Sequence, residues 1–227
     1  MIELHSWATP NGHKVSIALE ELELPYRVHP VNIGRGEQFT PEFLAMNRNN
    51  KIPAIVDTDG PGGRPLALSE SGAILLYLAD KTGRLMPSDT AEKYVALQWI
   101  MFQMSSVGPM LGQANHFKTY APEKIPYAID RYTREAMRLI HVLDQRLGEV
   151  EYLAGEYSMA DIATFPWIRS YRETVEAAEQ KHVVRWLDAI AARPAVVRGL
   201  AVPPRDDKPL DARAREVLFG ATQYQRR

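Results

Sequence analysis

The pattern of apolar residues changes character once along the chain, and that change limits the fold more than any single motif does. Up to about residue 82, short alternating runs are interleaved with helical repeats. Ile2 and Leu4 alternate with Glu3 and His5 as in a half-buried strand, and Val15, Ala18, Leu19 and Leu22 then recur at helical spacing. Tyr26, Val28, Val31 and Ile33 suggest a second strand interrupted near Pro30. Thr40-Pro41-Glu42 reads as a cap with proline at the first helical position, leading Phe43, Leu44 and Met46 into a short helix. Ile52-Pro53-Ala54-Ile55-Val56 follows as an apolar strand with a proline at its start. Asp59-Gly60-Pro61-Gly62-Gly63 is a dense turn signal, and Leu66 and Leu68 give a last, antiparallel strand. Ile74, Leu75, Tyr77 and Leu78 then mark a helix opened by Ser69-Glu70-Ser71-Gly72.

Beyond Thr82–Asp89, rich in turn and cap residues, no strand pattern recurs. Helical repeats run from Ala91 to about Ser105, from about Tyr127 to Leu147 and from Val183 to Ala192. Gly108-Pro109 predicts a break or kink between the first two of these. Nearby Met101, Phe102 and Met104 are expected in the core, or in the wall of an apolar pocket. Ser158-Met159-Ala160-Asp161 reads as a capping box that serves stability. The expected organisation is an α/β domain over residues 1–82, a linker over 83–90, an all-α domain over 91–202 and a tail over 203–227. That tail, proline-spaced with an apolar patch at Val217-Leu218-Phe219, is expected to wrap across the surface or a partner subunit.

Composition narrows the function. The formal net charge is −1 with no long run of one sign, which leaves no electrostatic footprint for nucleic acid and no polybasic membrane patch. No stretch approaches the roughly 18 apolar residues of a membrane helix, and the first residues do not resemble a signal peptide, so the expected location is the cytoplasm. Cysteine is absent, which removes disulfides, a protein thiol nucleophile and thiolate metal sites. The six histidines are scattered, and no Walker-type loop, dinucleotide-binding glycine pattern or metal-spaced histidine cluster occurs. Small molecules or proteins are the expected partners.

Three polar turns carry the candidate chemistry. Thr9-Pro10-Asn11-Gly12-His13-Lys14 joins the first strand to the first helix, where unpaired backbone N–H groups and the helix dipole favour an anion; Thr9 adds a hydroxyl and Asn11 an amide. Capping by Thr9 and Asn11, with Pro10 stiffening the turn, accounts for the same residues. Asn49-Asn50-Lys51 precedes Ile52-Pro53, and Pro53 cannot donate to a ladder. Ser71 fits a cap or an anion contact, and Glu70 fits a helix-terminus charge or a ligand's ammonium group.

These stretches, together with Gly108-Pro109-Met110-Leu111-Gly112-Gln113, resemble the glutathione transferase superfamily, and within it the bacterial nu class of glutathione-dependent disulfide-bond reductases. The resemblance spans nearly the whole chain. It implies a thioredoxin-like glutathione-binding domain followed by a helical domain, a homodimer with each active site near the interface, and a cis proline at Pro53. It further implies that the Ile52 backbone pairs with the cysteinyl part of glutathione, that Glu70 and Ser71 hold the γ-glutamyl end, that Gln38 and Lys51 approach the glycyl end, and that Arg131 reaches bound glutathione.

Thr9 and Asn11 take the thiol-activating role in this pattern, where other classes use tyrosine, serine or cysteine; Ser6 is the weaker candidate. A thiol of pKa about 8.5 is only a few per cent ionised at pH 7, and lowering it by about 2 units needs roughly 2.7 kcal/mol. A helix terminus supplies about 0.3–2 kcal/mol and a hydrogen bond to a charged group about 1.5–3, so one hydroxyl and one amide suffice. The activity implied is reduction of small disulfides by glutathione as co-substrate, without a metal, with transfer to electrophiles or hydroperoxide reduction as side activities. A non-catalytic glutathione-binding or assembly module is the alternative.

Overall fold

A computed structural model describes residues 1–204 and 209–225, so residues 205–208 and 226–227 of the expected tail lie outside the described residues. The chain divides into two compact units, residues 1–74 with 198–227, and residues 75–197. The fold class is the expected one, a thioredoxin-like α/β arrangement followed by helices.

The first unit is built on a four-stranded sheet with the order β2-β1-β3-β4. Its strands are β1 (Ile2–Ser6), β2 (Tyr26–Pro30), β3 (Ala54–Asp57) and β4 (Leu66–Ser69). β2 runs parallel to β1, whereas β3 is antiparallel to both β1 and β4. Alternation along β1 buries Ile2, Leu4 and Ser6 and leaves Glu3 and His5 half-buried, as a period of two requires.

Between the strands lie α1 (Pro10–Glu21) and α2 (Pro41–Met46), each opened by a threonine whose hydroxyl caps it and by a proline in the first turn. α2 is anchored by Phe43, which clusters with Val31 and Ala54, joined by Met46 and Ile52. Two strand limits differ from expectation. β2 stops at Pro30, leaving Val31 and Ile33 outside it, and β3 begins at Ala54, after the proline that has no N–H to give a ladder.

The division between units falls inside α3 (Ser71–Thr82). In the second unit, α4 (Thr90–Phe102) and α5 (Gly108–Asn115) are joined by a π-helical turn over Gln103–Val107, and a second such turn over His116–Tyr120 continues α5. Of the break or kink expected near Pro109, the irregularity present is the π-helical turn between the two helices, not a gap in the helical run. Pro109 falls in the first turn of α5, and the wider i→i+5 turn before it accommodates the missing N–H without ending the helix.

The same helical phase corrects another expectation. Ala96, Trp99, Ile100, Gln103 and Val107 are buried, which turns Met101 outward, 51% exposed, and leaves Phe102 and Met104 only half-buried.

α6 (Pro126–Glu149) buries Ala136, Leu139, Ile140, Leu143 and Leu147 along one face. α7 (Met159–Arg169) starts at the expected capping box. Asp161 closes that box by accepting the Ser158 N–H at 3.0 Å, and also accepts the Leu153 N–H at 3.0 Å and the Trp186 indole N–H at 2.8 Å. Burial nevertheless holds its carboxyl up at about 6.

α8 (Arg172–Ala177), α9 (Lys181–Ala191) and α10 (Pro194–Leu200) complete the run. The residues after Val197 rejoin the first unit. Ser16 donates to the Gly199 carbonyl at 2.7 Å, and a Cβ at Gly199 would lie 2.6 Å from Ile17 Cα, so only glycine permits this approach to α1. α11 (Ala212–Phe219) follows, with Val217 buried and Ala214 beside the loop at Gly34.

Candidate functional site

Sheet topology brings four stretches that are distant in sequence to one end of the first unit. In the ladders Ser6 pairs with Pro30, His5 with Ala54, and Ala54 with Ser69. The ends of β1, β2 and β4 and the start of β3 therefore share one edge. From that edge emerge the Trp7–Thr9 turn, the loop that ends at Gln38, the Ile52-Pro53 segment and the Glu70-Ser71 turn.

Thr9 is the N-cap of α1 in extended conformation, its Oγ1 accepting the Gly12 N–H at 3.2 Å, while Asn11 lies in the first helical turn, half-buried. No acidic residue occupies that turn to satisfy the helix dipole. Gly12 is required by packing: a Cβ there would fall 2.5 Å from Ser6 Oγ and closer still to the Trp7 carbonyl oxygen. Ser6 is fully buried in β1 beneath this contact, with its hydroxyl facing the Trp7 carbonyl at 3.5 Å, which keeps it the weaker candidate.

The Ile52–Pro53 bond is cis. Both ladders of β3 begin at Ala54, so the Ile52 peptide lies outside them. The turn before it is organised by Asn47, a buried residue that composition gave no reason to select. Its Nδ2 donates to the Lys51 carbonyl at 2.7 Å, and its Oδ1 accepts the Asn49 N–H at 2.9 Å. Lys51 itself is exposed at the rim. Glu70 adopts the left-handed region at φ 65°, with an exposed side chain within 3.5 Å of Asn49 Nδ2; its carbonyl accepts the first helical N–H, from Ile74. Ser71 starts α3 with little exposure. Gln38 is 3% exposed; its amide donates to the Ile33 carbonyl at 3.2 Å, while its Oε1 is buried without a partner among the described residues.

One residue at this end was not selected by sequence reasoning as a site residue. Lys14, one turn into α1, is 1% exposed, and its Nζ lies 3.4 Å from Ser71 Oγ. Burial drives its ammonium down to about 7, with the Glu70 carboxylate opposing that loss. The available signal was a lysine set directly before the apolar run Val15–Leu19 of a helix buried almost all round.

Arg131 belongs to the second unit. It is exposed on α6 and lines a groove of about 500 Å³ with Met110, Tyr127, Asp130 and Arg134. Thr9, Asn11, Lys51, Ile52, Pro53, Glu70 and Ser71 are thus gathered at one edge of the first unit, Gln38 lies in the loop that follows β2 with its amide on Ile33, and Arg131 is not part of that unit.

The arrangement at the edge offers an anion-binding helix terminus with a hydroxyl on it, an exposed carboxylate for a cation, a peptide outside the ladders, and a buried acceptor lacking a donor. Residues 8–81 match the pattern of the glutathione S-transferase N-terminal domain, and residues 114–194 that of the C-terminal domain. The disulfide-bond oxidoreductase YfcG of Escherichia coli K12 is 49% identical over 215 residues, covering 93% of this chain and all of that protein. The chain belongs to the glutathione S-transferase family.

The disulfide-bond oxidoreductase YghU of the same bacterium is 41% identical, over 95% of this chain and 79% of its own. Among solved family structures, a glutathione transferase from Burkholderia graminis with two glutathione molecules per subunit superposes with a TM-score of 0.87. It is 52% identical and covers 90% of this chain and 89% of its own. One from Pseudomonas putida with a glutathione disulfide per subunit gives a TM-score of 0.86 at 48% identity, covering 89% of this chain and 91% of its own.

Proposed function

We propose that this glutathione S-transferase reduces small disulfides with glutathione, in the manner the names YfcG and YghU describe for its relatives. The observation that carries the reading is an α1 N-terminus fitted with the Thr9 hydroxyl in a chain with no cysteine, so any reacting thiol must come from outside the protein.

Glutathione supplies the sulfur chemistry as co-substrate. Its thiolate bonds to one sulfur of the disulfide and expels the other, and a second glutathione resolves the mixed disulfide, so two glutathione thiols are oxidised for each disulfide reduced. That the Burkholderia graminis structure holds two glutathione molecules per subunit and the Pseudomonas putida structure a glutathione disulfide supports a site able to take both redox forms.

The chain's residues bind, orient and tune. Thr9 and Asn11 donate toward the sulfur at the helix terminus. The Ile52 peptide, placed outside the ladders ahead of Pro53, pairs with the cysteinyl backbone. Glu70 takes the γ-glutamyl ammonium, and the Ser71 hydroxyl takes its carboxylate. Gln38 offers its partnerless oxygen to the glycyl amide, with Lys51 near the terminal carboxylate, and Arg131 comes from the helical unit. The same thiolate serves transfer to electrophiles or hydroperoxide reduction as side activities.

The working unit in this proposal is a cytoplasmic homodimer. Exposed Tyr94, Val95 and Met101 along α4 support the dimer. No helix among the described residues is long and apolar enough to cross a membrane, which is compatible with that location.

The test is the rate at which glutathione reduces a small model disulfide, followed through glutathione reductase and NADPH. A saturable rate proportional to enzyme is expected. Its absence in folded protein that binds glutathione would point instead to another electrophile or to a non-catalytic role.

A further inference from the structure

Lys14 has no part in the reaction described above, yet its amine is buried in the first unit at the same end of the sheet. Its side chain is 1% exposed, and its Nζ donates to Ser71 Oγ across 3.4 Å, from α1 to the first residue of α3. The contact joins two parts of the proposed site that lie 57 residues apart: the helix that begins at Thr9 and the turn given to the γ-glutamyl end.

Placing an ammonium in such a position is costly, and methionine or leucine would fill the space without that cost. We infer that Lys14 is a positioning residue for the γ-glutamyl carboxylate of glutathione, holding the Ser71 hydroxyl from behind and supplying the buried cation opposite the incoming anion.

This rests on the glutathione-binding reading given above. Ser71 has one hydroxyl with one proton and two lone pairs. A hydroxyl whose oxygen accepts from Nζ can still donate its own proton, so the contact with Lys14 is compatible with a carboxylate on the other side of Ser71. The Glu70 carboxylate, one residue before Ser71, favours the charged form of Lys14. The ligand's ammonium offsets the exposed Glu70 carboxylate, while its own carboxylate, in front of the Ser71 that Nζ touches, is the nearer and stronger counter-ion.

A proton exchange follows, because the amine stands at about 7 before the ligand arrives. A carboxylate brought close favours the charged form, so binding takes up a fraction of a proton near neutral pH. A ligand ammonium facing Lys14 would instead drive a proton off. The sign of the exchange therefore reports which end of the amino-acid moiety Lys14 faces.

S-methylglutathione is the suitable probe, since it keeps the γ-glutamyl end and has no thiol to titrate. Its binding to the intact protein is measured by calorimetry at neutral pH in buffers of different ionisation heat. Proton uptake by the wild type is expected. Lys14→Met should abolish the uptake, weaken binding by about tenfold, the equivalent of one pKa unit of coupling, and raise KM for glutathione far more than it lowers kcat. Lys14→Arg, permanently charged, should restore much of the affinity without any uptake. Binding with no proton exchange, or with release, overturns the inference while leaving the glutathione site standing; so does Lys14→Met binding as tightly as the wild type. No binding of the probe to the wild type overturns the glutathione reading, and this inference with it.

Discussion

Thr9 holds α1 by accepting the Gly12 N–H at 3.2 Å, and the same hydroxyl is proposed to donate to the glutathione thiolate. The two roles use different parts of one group, lone pair and proton, so both can operate together. Thr9→Ala removes both. Loss of the cap costs about 1 kcal/mol of stability, within a range of roughly 0.5–2. Loss of a hydrogen bond to an ionised sulfur costs about 1.5–3 kcal/mol. The second amounts to an upward shift of the bound thiol by about 1–2 pKa units, which from a bound value near 6.5 lowers the thiolate fraction, and with it the rate, at pH 7 by roughly 3- to 25-fold. Thr9→Ser keeps both roles, and Thr9→Val keeps the shape while losing the hydroxyl. The thiol is followed by thiolate ultraviolet absorbance against pH with glutathione bound, and stability by thermal unfolding of the free protein. Thr9→Ala and Thr9→Val should shift both readouts and Thr9→Ser neither. A variant that unfolds earlier but leaves the bound thiol's titration unchanged would refute the catalytic role and leave Thr9 as a cap alone.

Other consequences are as direct. Asp161→Ala leaves the Leu153 and Ser158 N–H groups and the Trp186 indole N–H buried without their acceptor, and should cost about 3–5 kcal/mol in urea unfolding; a loss under about 1 would refute the assignment. Lys14 binds its proton less tightly folded, at about 7, than unfolded, near 10.5, so the unfolded chain holds more protons between those values and stability rises with pH there. The contribution reaches about 1.4 kcal/mol per pH unit, and Lys14→Met should flatten the wild-type slope by that amount in unfolding measured from pH 7 to 10. Gly12→Ala should lower the unfolding midpoint and weaken glutathione binding, because its Cβ would meet the backbone of Trp7; a fully stable variant with normal affinity would contradict the tight turn.

The order of elements was legible because its signals are local. Thr9 and Thr40 before Pro10 and Pro41, and Ser158 three residues before Asp161, mark helix starts whatever the surroundings, and all three caps are present. Signals that depend on a neighbour's backbone were legible only in part. Pro109 signalled a break or a kink, and the irregularity takes the form of a π-helical turn before it, which local composition does not specify. Pro194 opens α10 within the residues assigned to the all-α domain, although no helical repeat marked that helix. Met101 illustrates a third limit: an apolar residue two positions from a buried Trp99 lies on another face of the helix, and the phase needed to see this is set by packing.

The polar turns were legible for the same local reason, since groups that bind a ligand at the edge of a sheet also make turns and caps. Asn47 and Lys14 were not, because their importance comes from what they touch: Asn47 fixes the peptide of Lys51 across four residues, and Lys14 reaches Ser71 across 57. Composition says only that a lysine precedes an apolar run; the sheet register determines what that lysine faces. β3 must pair Ala54 with both His5 and Ser69 for the start of α1, the Ile52 peptide and the start of α3 to meet at one edge. A slip of one residue in β3 would move every side chain to the opposite face of the sheet and carry Ile52 away from that edge, so core packing and site geometry select the same register. A substitution that loosens the β3 core without touching any polar residue should therefore impair glutathione binding as well as folding. Ile55→Ala is the informative case: Ile55 is fully buried and pairs with both Leu4 and Leu68, and neither strand partner belongs to the proposed site.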